Sequence, residues 1–324
     1  MDVLRGLTTS QWAALSPAVS YFCGSLFFQT LETFKIGEQY RLVPTDEELK
    51  RNRVSRAAVI AHALVYHSIT TTLALIFVDL FPPLKECQHC FGSYSYFETS
   101  IAALLGNKEH GSIQLAALSW LARLIYLGVR QFGAFFIFDT WLYWTHYFSH
   151  HNRWWFKHIH SKHHKLYVPF AYGSAYNHPA ESLCFDVVAS QLASGGLRLS
   201  DIEQGVFLSL ATMRSCENHT AYNLPWSPFI LIGGLFGYTP EWHSIHHSKW
   251  GFRTNFATYF PWWDIWMGTA YLGERKVYEA PENVPADLKG SLRASDATEE
   301  RDNTSIALDN EHIEESQVRQ RKKV

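Results

Sequence analysis

The stretch Lys157-His-Ile-His-Ser-Lys-His-His-Lys165 and the later Trp242-His-Ser-Ile-His-His-Ser248 carry the same pattern, a histidine followed three and four residues on by two more. The triplets are His160, His163 and His164, and His243, His246 and His247. A third pair, His146 and His150, lies upstream at a spacing of four. On a helix the positions i, i+3 and i+4 share a face, so each cluster is expected to aim its rings at one point. Neutral imidazole is a nitrogen donor for iron, zinc and copper. So many convergent rings exceed the three or four ligands of a single zinc site. They predict a two-metal centre and, with it, an oxygen-activating metalloenzyme.

Working outward, Asp139 precedes His146 by two helical turns and is expected to accept the second ring N–H of a ligand histidine. Two single histidines lie between the triplets. His178 stands before Pro179 and Glu181, residues that suit the start of a helix, with the acid in its first turn. His219 stands in Asn218-His-Thr-Ala-Tyr222. Both are candidate ligands because a dinuclear site needs donors beyond the triplets. His151 and His158 point elsewhere and read as surface groups. Lys157, Lys162 and Lys165 suit the neighbourhood of acidic headgroups.

The chain of 324 residues has 17 histidines, 15% aromatic residues and a formal charge of −2, which gives no footprint for nucleic acid. Its mean hydropathy of −0.13 hides strongly apolar segments. Residues 15–34, 57–80 and 112–138 are candidate membrane spans, and 182–193 and 206–213 are shorter segments that read as re-entrant or buried helices. Trp141, Trp144, Trp154, Trp155, Trp262, Trp263 and Trp266 fit either an interfacial belt or core packing. The loop 35–56 carries six basic residues and is expected on the cytosolic side, which brings the histidines to the cytosolic face as well. Cys87 and Cys90 form a lone C-x-x-C, open to a local disulfide or to two free thiols. Cys23, Cys184 and Cys216 read as apolar packing.

The expected architecture is an all-α integral membrane protein. About four transmembrane or re-entrant helices carry a cytosolic helical cap that holds a histidine-rich dimetal site. The division is 1–112 for N-terminal membrane helices, 113–279 for the catalytic domain, and 280–324 for a polar, disordered cytosolic tail. The tail ends Arg321-Lys-Lys-Val324, similar to a dibasic ER-retrieval signal. A serine nucleophile elbow, a phosphate-binding glycine loop and an H-E-x-x-H pattern are all absent from the sequence.

The ordered set His146-x3-His150, His160-x2-His163-His164, His178-Pro179, His219 and His243-x2-His246-His247 resembles the fatty acid hydroxylase superfamily over roughly residues 132–273. The run from Lys157 to Pro179, with Leu166-Tyr-Val-Pro-Phe170 inside it, is most similar to the sphingolipid C4-hydroxylases (sphinganine C4-monooxygenases). Gly251-Phe-Arg-Thr-Asn-Phe256 and Trp263-Asp-Ile-Trp-Met-Gly-Thr269 are similar to them too. The chain departs from the pattern at Ser244, often acidic in the family, and at Ala221, often Gly.

The resemblance implies two ferrous ions held by the ten histidines 146, 150, 160, 163, 164, 178, 219, 243, 246 and 247, with zinc as a substitute in purified samples. It implies O2-dependent hydroxylation at C4 of a sphingoid long-chain base or dihydroceramide drawn from the bilayer, in the endoplasmic reticulum membrane. The electrons would come from cytochrome b5 and its NAD(P)H reductase, since the chain has no haem or dinucleotide motif of its own. The alternative within the superfamily is a sterol C4-methyl oxidase or C5-desaturase.

Overall fold

The computed structural model describes residues 6–43, 51–80 and 113–273. Among them the structure is helical, with one isolated antiparallel bridge between Arg41 and Tyr222. Cys87, Cys90 and the 280–324 tail lie outside the described residues.

Three long helices come first. Helix α1 (Thr9–Thr33) opens on a capping box, in which the Thr8 hydroxyl accepts from Gln11 N and Gln11 returns a bond to Thr8 N. Helix α2 spans Arg56–Leu80 and α3 spans Ile113–His151. Next come the short α4 (Arg153–His158), capped by Asn152, and two 3-10 helices, His160–Lys165 and Ala171–Ala175. Helix α5 (Pro179–Ser182) runs through a π-turn, Leu183–Val188, into α6 (Ala189–Gly196). Helix α7 (Asp201–Asn218), α8 (Pro228–Leu235), α9 (Pro240–His247) and α10 (Trp262–Met267) complete the described chain.

Helix α1 packs along α7, and the two N-termini are tied by Thr9 and Ser10, whose hydroxyls donate to Asp201 at 2.9 and 2.5 Å. Arg130 of α3 pairs with Glu203, the acid of the α7 capping box, at 2.5 Å. The main apolar core joins Ala134, Phe138 and Leu142 of α3 to Ala189 and Ala193 of α6 and to Phe207 and Ala211 of α7. That core lies under the last two turns of α3, where His146 and His150 sit. By its contacts the chain parts between Tyr271 and Leu272.

Among the described residues two helices are long and apolar enough to cross a bilayer, Arg56–Leu80 and Trp120–His151. Their most apolar windows are only 17% and 11% buried. Leu64, Val65, Ile69, Leu73 and Phe77 on α2, and Leu121, Leu124, Ile125 and Val129 on α3, point outward. Apolar surface that extensive marks an interaction with lipid or protein. Helix α1 has the length for a third span, but its Ser, Thr, Gln and Glu residues leave it less apolar than the other two. The helix that contains the expected span 112–138 continues without a break to His151, so it carries the first histidine pair at its end. Of the three cysteines assigned to apolar packing, Cys216 is buried but Cys23 is exposed. The tryptophans divide: Trp144, Trp154 and Trp266 are exposed, while Trp141 donates to Cys184 O at 2.9 Å.

Candidate metal centre

Nine histidines converge in two groups. The first is His146, His150, His160, His164 and His246, and the second is His163, His219, His243 and His247. Within each group the available ring nitrogens lie within 4.8 Å of one another. The groups abut, with the His164 and His247 ring centres 4.9 Å apart. Eight of the nine rings are buried and His164 is half-buried.

Neither triplet aims at one point. His160 and His164 enter the first group and His163 the second. In the other triplet His243 and His247 enter the second group and His246 the first. Each triplet gives its i, i+4 pair to one group and its i+3 ring to the other, with the roles exchanged. On α9 helical rotation supplies the reason: i+3 and i+4 differ by about 100° around the axis, so they diverge where i and i+4 nearly align. The ring geometry is close to identical in the two triplets. His160–His163 and His243–His246 centres are each 5.8 Å apart and near-parallel, while His160–His164 and His243–His247 lie at 4.7 and 4.6 Å, edge to face. One triplet sits on a 3-10 helix and the other on α9.

The hydrogen bonds around the rings fix their tautomers. His146, His246, His219 and His247 each have Nδ1 against a backbone carbonyl, of Phe256, Thr254, Ser215 and Leu166, at 2.7 to 2.8 Å. A carbonyl only accepts, so Nδ1 carries the proton and Nε2 is left as a bare lone pair. Nε2 of His146 and of His246 has no hydrogen-bond partner at all. In the second group Nε2 of His243 lies 3.0 Å from Nε2 of both His219 and His247, and one proton cannot satisfy both contacts. In the first group Nε2 of His160 is 2.8 Å from His150 and 3.0 Å from His164. Clustered buried lone pairs of this kind fit cations at both places.

Burial also holds the rings neutral. It lowers the pKa of His160, His163, His164, His243, His246 and His247 well below 6.5, and neighbouring rings add to the effect. His219 is brought down to about 4 for the same first reason. A neutral ring is the ligating form.

Two carboxylates shape the loop that orients the first group. Asp139 does not touch a histidine, contrary to expectation. Its oxygens accept from the backbone N–H of Thr258, Tyr259 and Phe260 at 2.9 to 3.3 Å. Asp264 accepts from Phe256 N and Ala257 N, each at 2.9 Å. Both acids therefore grip residues 256–260 from the N–H side, next to the carbonyls of 254 and 256 that receive His246 and His146. Between those carbonyls, Asn255 is left-handed at φ 57° and accepts from Tyr271 N at 2.8 Å. Gly251 is required at the start of this loop, because a Cβ there would lie 2.1 Å from Ile245 O.

The acid that does meet a ring is Glu181, whose carboxylate lies 2.5 Å from His160 Nδ1 in full burial. Burial first, and then Asp186, raise its carboxyl well above the usual value. Its sequence signal was only that of an acid in a helix's first turn, and that role is also real. His178 joins neither group. Its Nδ1 caps α5 by accepting from Ala180 N at 3.2 Å, which uses the lone pair a metal would need. His151 and His158 are exposed, as expected.

A profile of the fatty acid hydroxylase family matches residues 131–269. The sphingolipid C4-hydroxylase SUR2 of Saccharomyces cerevisiae is 32% identical over 287 residues, covering 88% of this chain and 79% of that protein. Sphinganine C4-monooxygenase 1 of Arabidopsis thaliana is 29% identical over 79% of this chain and 85% of its own length. Methylsterol monooxygenase 1 of Rattus norvegicus is 32% identical, but over only 43% of this chain and 46% of its own. No solved structure is a significant match.

Proposed function

The chain belongs to the fatty acid hydroxylase family, and from that premise we propose that it is a sphingolipid C4-hydroxylase holding two irons in its two histidine groups. The carrying observation is the pair of abutting all-nitrogen groups, cross-linked by triplets that each supply both. The ligands we propose are His146, His150, His160, His164 and His246 for one iron, and His163, His219, His243 and His247 for the other. Bound there, the irons would supply the reduction of O2 by two electrons, which with two protons yields one hydroxyl on the substrate and one water.

The chain's own residues contribute position and dryness. The apolar core of Phe138, Leu142 and Phe207 under the first pair keeps water from the lipid side of the rings. Phe185, in the π-turn, places its ring 6.0 Å from His146 and 6.1 Å from His160, presenting a hydrocarbon wall where a methylene would approach. The removed atom is a hydrogen atom of an unactivated C–H, so no buried carboxylate is needed as base. Positioning of the chain against the rings selects the carbon. Substrate would arrive sideways from the bilayer along the outward apolar faces of α2 and α3.

The substrate reading rests on extent of likeness. The C4-hydroxylase relatives align over most of both chains, whereas the sterol enzyme aligns over less than half of either. We place the protein in the endoplasmic reticulum membrane with the histidines on the cytosolic side. In support, the basic loop and the triplets share a face: Arg53 N donates to Lys165 O at 2.8 Å, and Asn52 exchanges two bonds with the Val168 backbone. Cytochrome b5 and its reductase are the proposed electron source.

Microsomes containing the protein, given O2, reductant and sphinganine or dihydroceramide, are expected to form the 4-hydroxylated product, identified by mass spectrometry, and His163→Ala microsomes are not. Equal product from both would dismiss the site. Cells lacking the protein that keep their phytoceramides but change their sterols would move the assignment to the sterol enzymes.

A further inference from the structure

The two segments that carry the triplets contain no acid over long stretches. Between Asp139 and Glu181, and again between Glu241 and Asp264, there is no Asp or Glu, while Arg153, Lys157, Lys162, Lys165, Lys249 and Arg253 all fall there. The chain as a whole is formally −2, so this positive excess is local. Arg153, Lys157, Lys165 and Lys249 are exposed. Arg153 and Lys157 lie at i and i+4, on one face of α4. The basic loop adds Arg53, joined to Lys165 through the backbone, and Arg51, whose guanidinium lies 5.0 Å over the Tyr167 ring.

Beneath this collar the cover over the first histidine group is thin. Phe156 of α4 and Phe252 meet edge to face at 5.0 Å, and both are only half-buried. The Phe252 ring is 4.6 Å from His150 and 4.8 Å from His164, and Phe156 is 5.6 Å from His150. His164 is the one half-exposed ring among the nine, and the second group is wholly buried. Among the described residues a single aromatic layer thus separates solvent from this side of the first group.

We propose that this collar is the docking face of an acidic electron-carrier protein, and that electrons reach the centre through Phe156 and Phe252 into the first group. The proposal rests on the oxygenase reading, which takes two electrons per turnover from outside the chain. Charge complementarity steers such transient redox encounters and sets their on-rate, and their interfaces are small. The cations come from three separate segments gathered around the histidine end. They do not line the outward apolar flank of α3 at Leu121, Leu124, Ile125 and Val129, where lipid contact is expected.

The test uses the full-length protein in neutral-lipid vesicles, with soluble cytochrome b5 as the probe. The double variant Arg153→Glu/Lys157→Glu should raise the KM for cytochrome b5 by about tenfold or more at low salt and flatten its dependence on ionic strength. Turnover driven by a small-molecule reductant should stay within about twofold of wild type, since steering acts on encounter and not on the chemical step. A cytochrome b5 with surface acids changed to lysine should recover affinity for the double variant and lose it for wild type. Should the double variant fold poorly, Lys249→Glu, on a different segment, carries the same comparison.

An unchanged KM and salt slope would overturn the proposal. So would lost binding to anionic-lipid vesicles with an unchanged KM, which would make the collar a headgroup patch. A wild-type protein that forms no product with any reductant would instead break the oxygenase reading, and direct titration of cytochrome b5 binding would still test the docking face.

Discussion

The two histidine groups are built from the same triplet but finished differently. The first has five rings, a carboxylate on His160, orienting carbonyls drawn from the Thr254–Phe256 loop, and one half-exposed member. The second has four rings, all buried, and its orienting carbonyls come from Ser215 and Leu166 with no acid in contact. A carboxylate behind a ring raises its basicity as a ligand, and burial without one leaves geometry as the main lever. On the proposed two-iron reading, the difference gives the first group the tunable, outward-facing role and the second the sealed one.

The largest effect should come from the two rings that cross between groups. On the proposed assignment His163→Ala removes a ligand from the second group, and His246→Ala removes one from the first, although the parent triplets supply mainly the opposite groups. Each should lower hydroxylation by more than about 100-fold, beyond what loss of an orienting partner usually costs. Metal analysis should show roughly one ion lost in each case. If His163→Ala emptied the group that holds His160 and His164, the swapped assignment would be wrong.

Glu181 sharpens the same contrast. Glu181→Gln keeps an acceptor for the His160 Nδ1–H but removes the charge. A drop of about 10- to 100-fold in metal affinity or activity is expected, confined to the first group. A loss spread equally over both ions, measured by competition with a chelator, would deny that the acid serves one group.

The triplets could be picked out from spacing alone, because the same i, i+3, i+4 pattern of histidines recurs at two distant places in the chain. Which ring joins which group could not be read, since that depends on two distant helices approaching with opposed faces. Asp139 was recognisable as an acid needing a partner, but its partners are backbone N–H groups some 120 residues away, and backbone groups leave no mark in a sequence. Glu181 looked like a first-turn acid because it is one. His178 looked like a ligand because nothing local tells a capping lone pair from a ligating one. The apolar helices were readable by length and composition, and Arg130, which breaks the apolar run of α3, is paired inward with Glu203.

Acid should separate the metal-free groups less sharply. The rings of the two triplets and of His219 have folded pKa values below the ordinary 6.5, so the unfolded chain binds protons that the folded one refuses. This contribution to stability is whole above pH 6.5 and is lost as pH falls toward the folded value, about 4 for His219. At pH 5 the loss is about 2 kcal/mol for such a ring. Glu181 acts in the opposite direction and only in the first group. Its raised carboxyl keeps a proton in the fold, so its contribution grows as pH falls through the folded value toward 4.5. Melting temperatures of chelator-treated protein between pH 7 and 5 should fall, and should fall more steeply in Glu181→Gln. A flat profile would mean that the rings are already protonated in the fold.

The smallest effects compare two left-handed residues, one beside each group. Asn255, at φ 57°, stands between the carbonyls that receive His246 and His146, and Ala221, at φ 55°, follows His219 by two residues. Asn255 tolerates that conformation and uses its amide twice, donating to Trp242 O at 3.1 Å and accepting from Tyr271 N at 2.8 Å. Asn255→Gly keeps the backbone but strips both bonds from a buried position, so a loss of about 1–3 kcal/mol is expected, with weakened metal binding in the first group. Ala221 has no such side-chain bonds. It is held by neighbours, through Leu42 N to Ala221 O at 2.7 Å and Asn223 N to Tyr40 O at 2.9 Å. Ala221→Gly relieves roughly 1–2 kcal/mol of left-handed strain. It also gives up about 0.8 kcal/mol of methyl burial and adds freedom to the unfolded chain, of similar size. These terms nearly cancel, so stability should move by less than about 0.5 kcal/mol and metal content should not change. That near-neutral outcome would explain why alanine is tolerated at a left-handed position. A large gain in thermal stability would instead show that the second group is strained through its backbone.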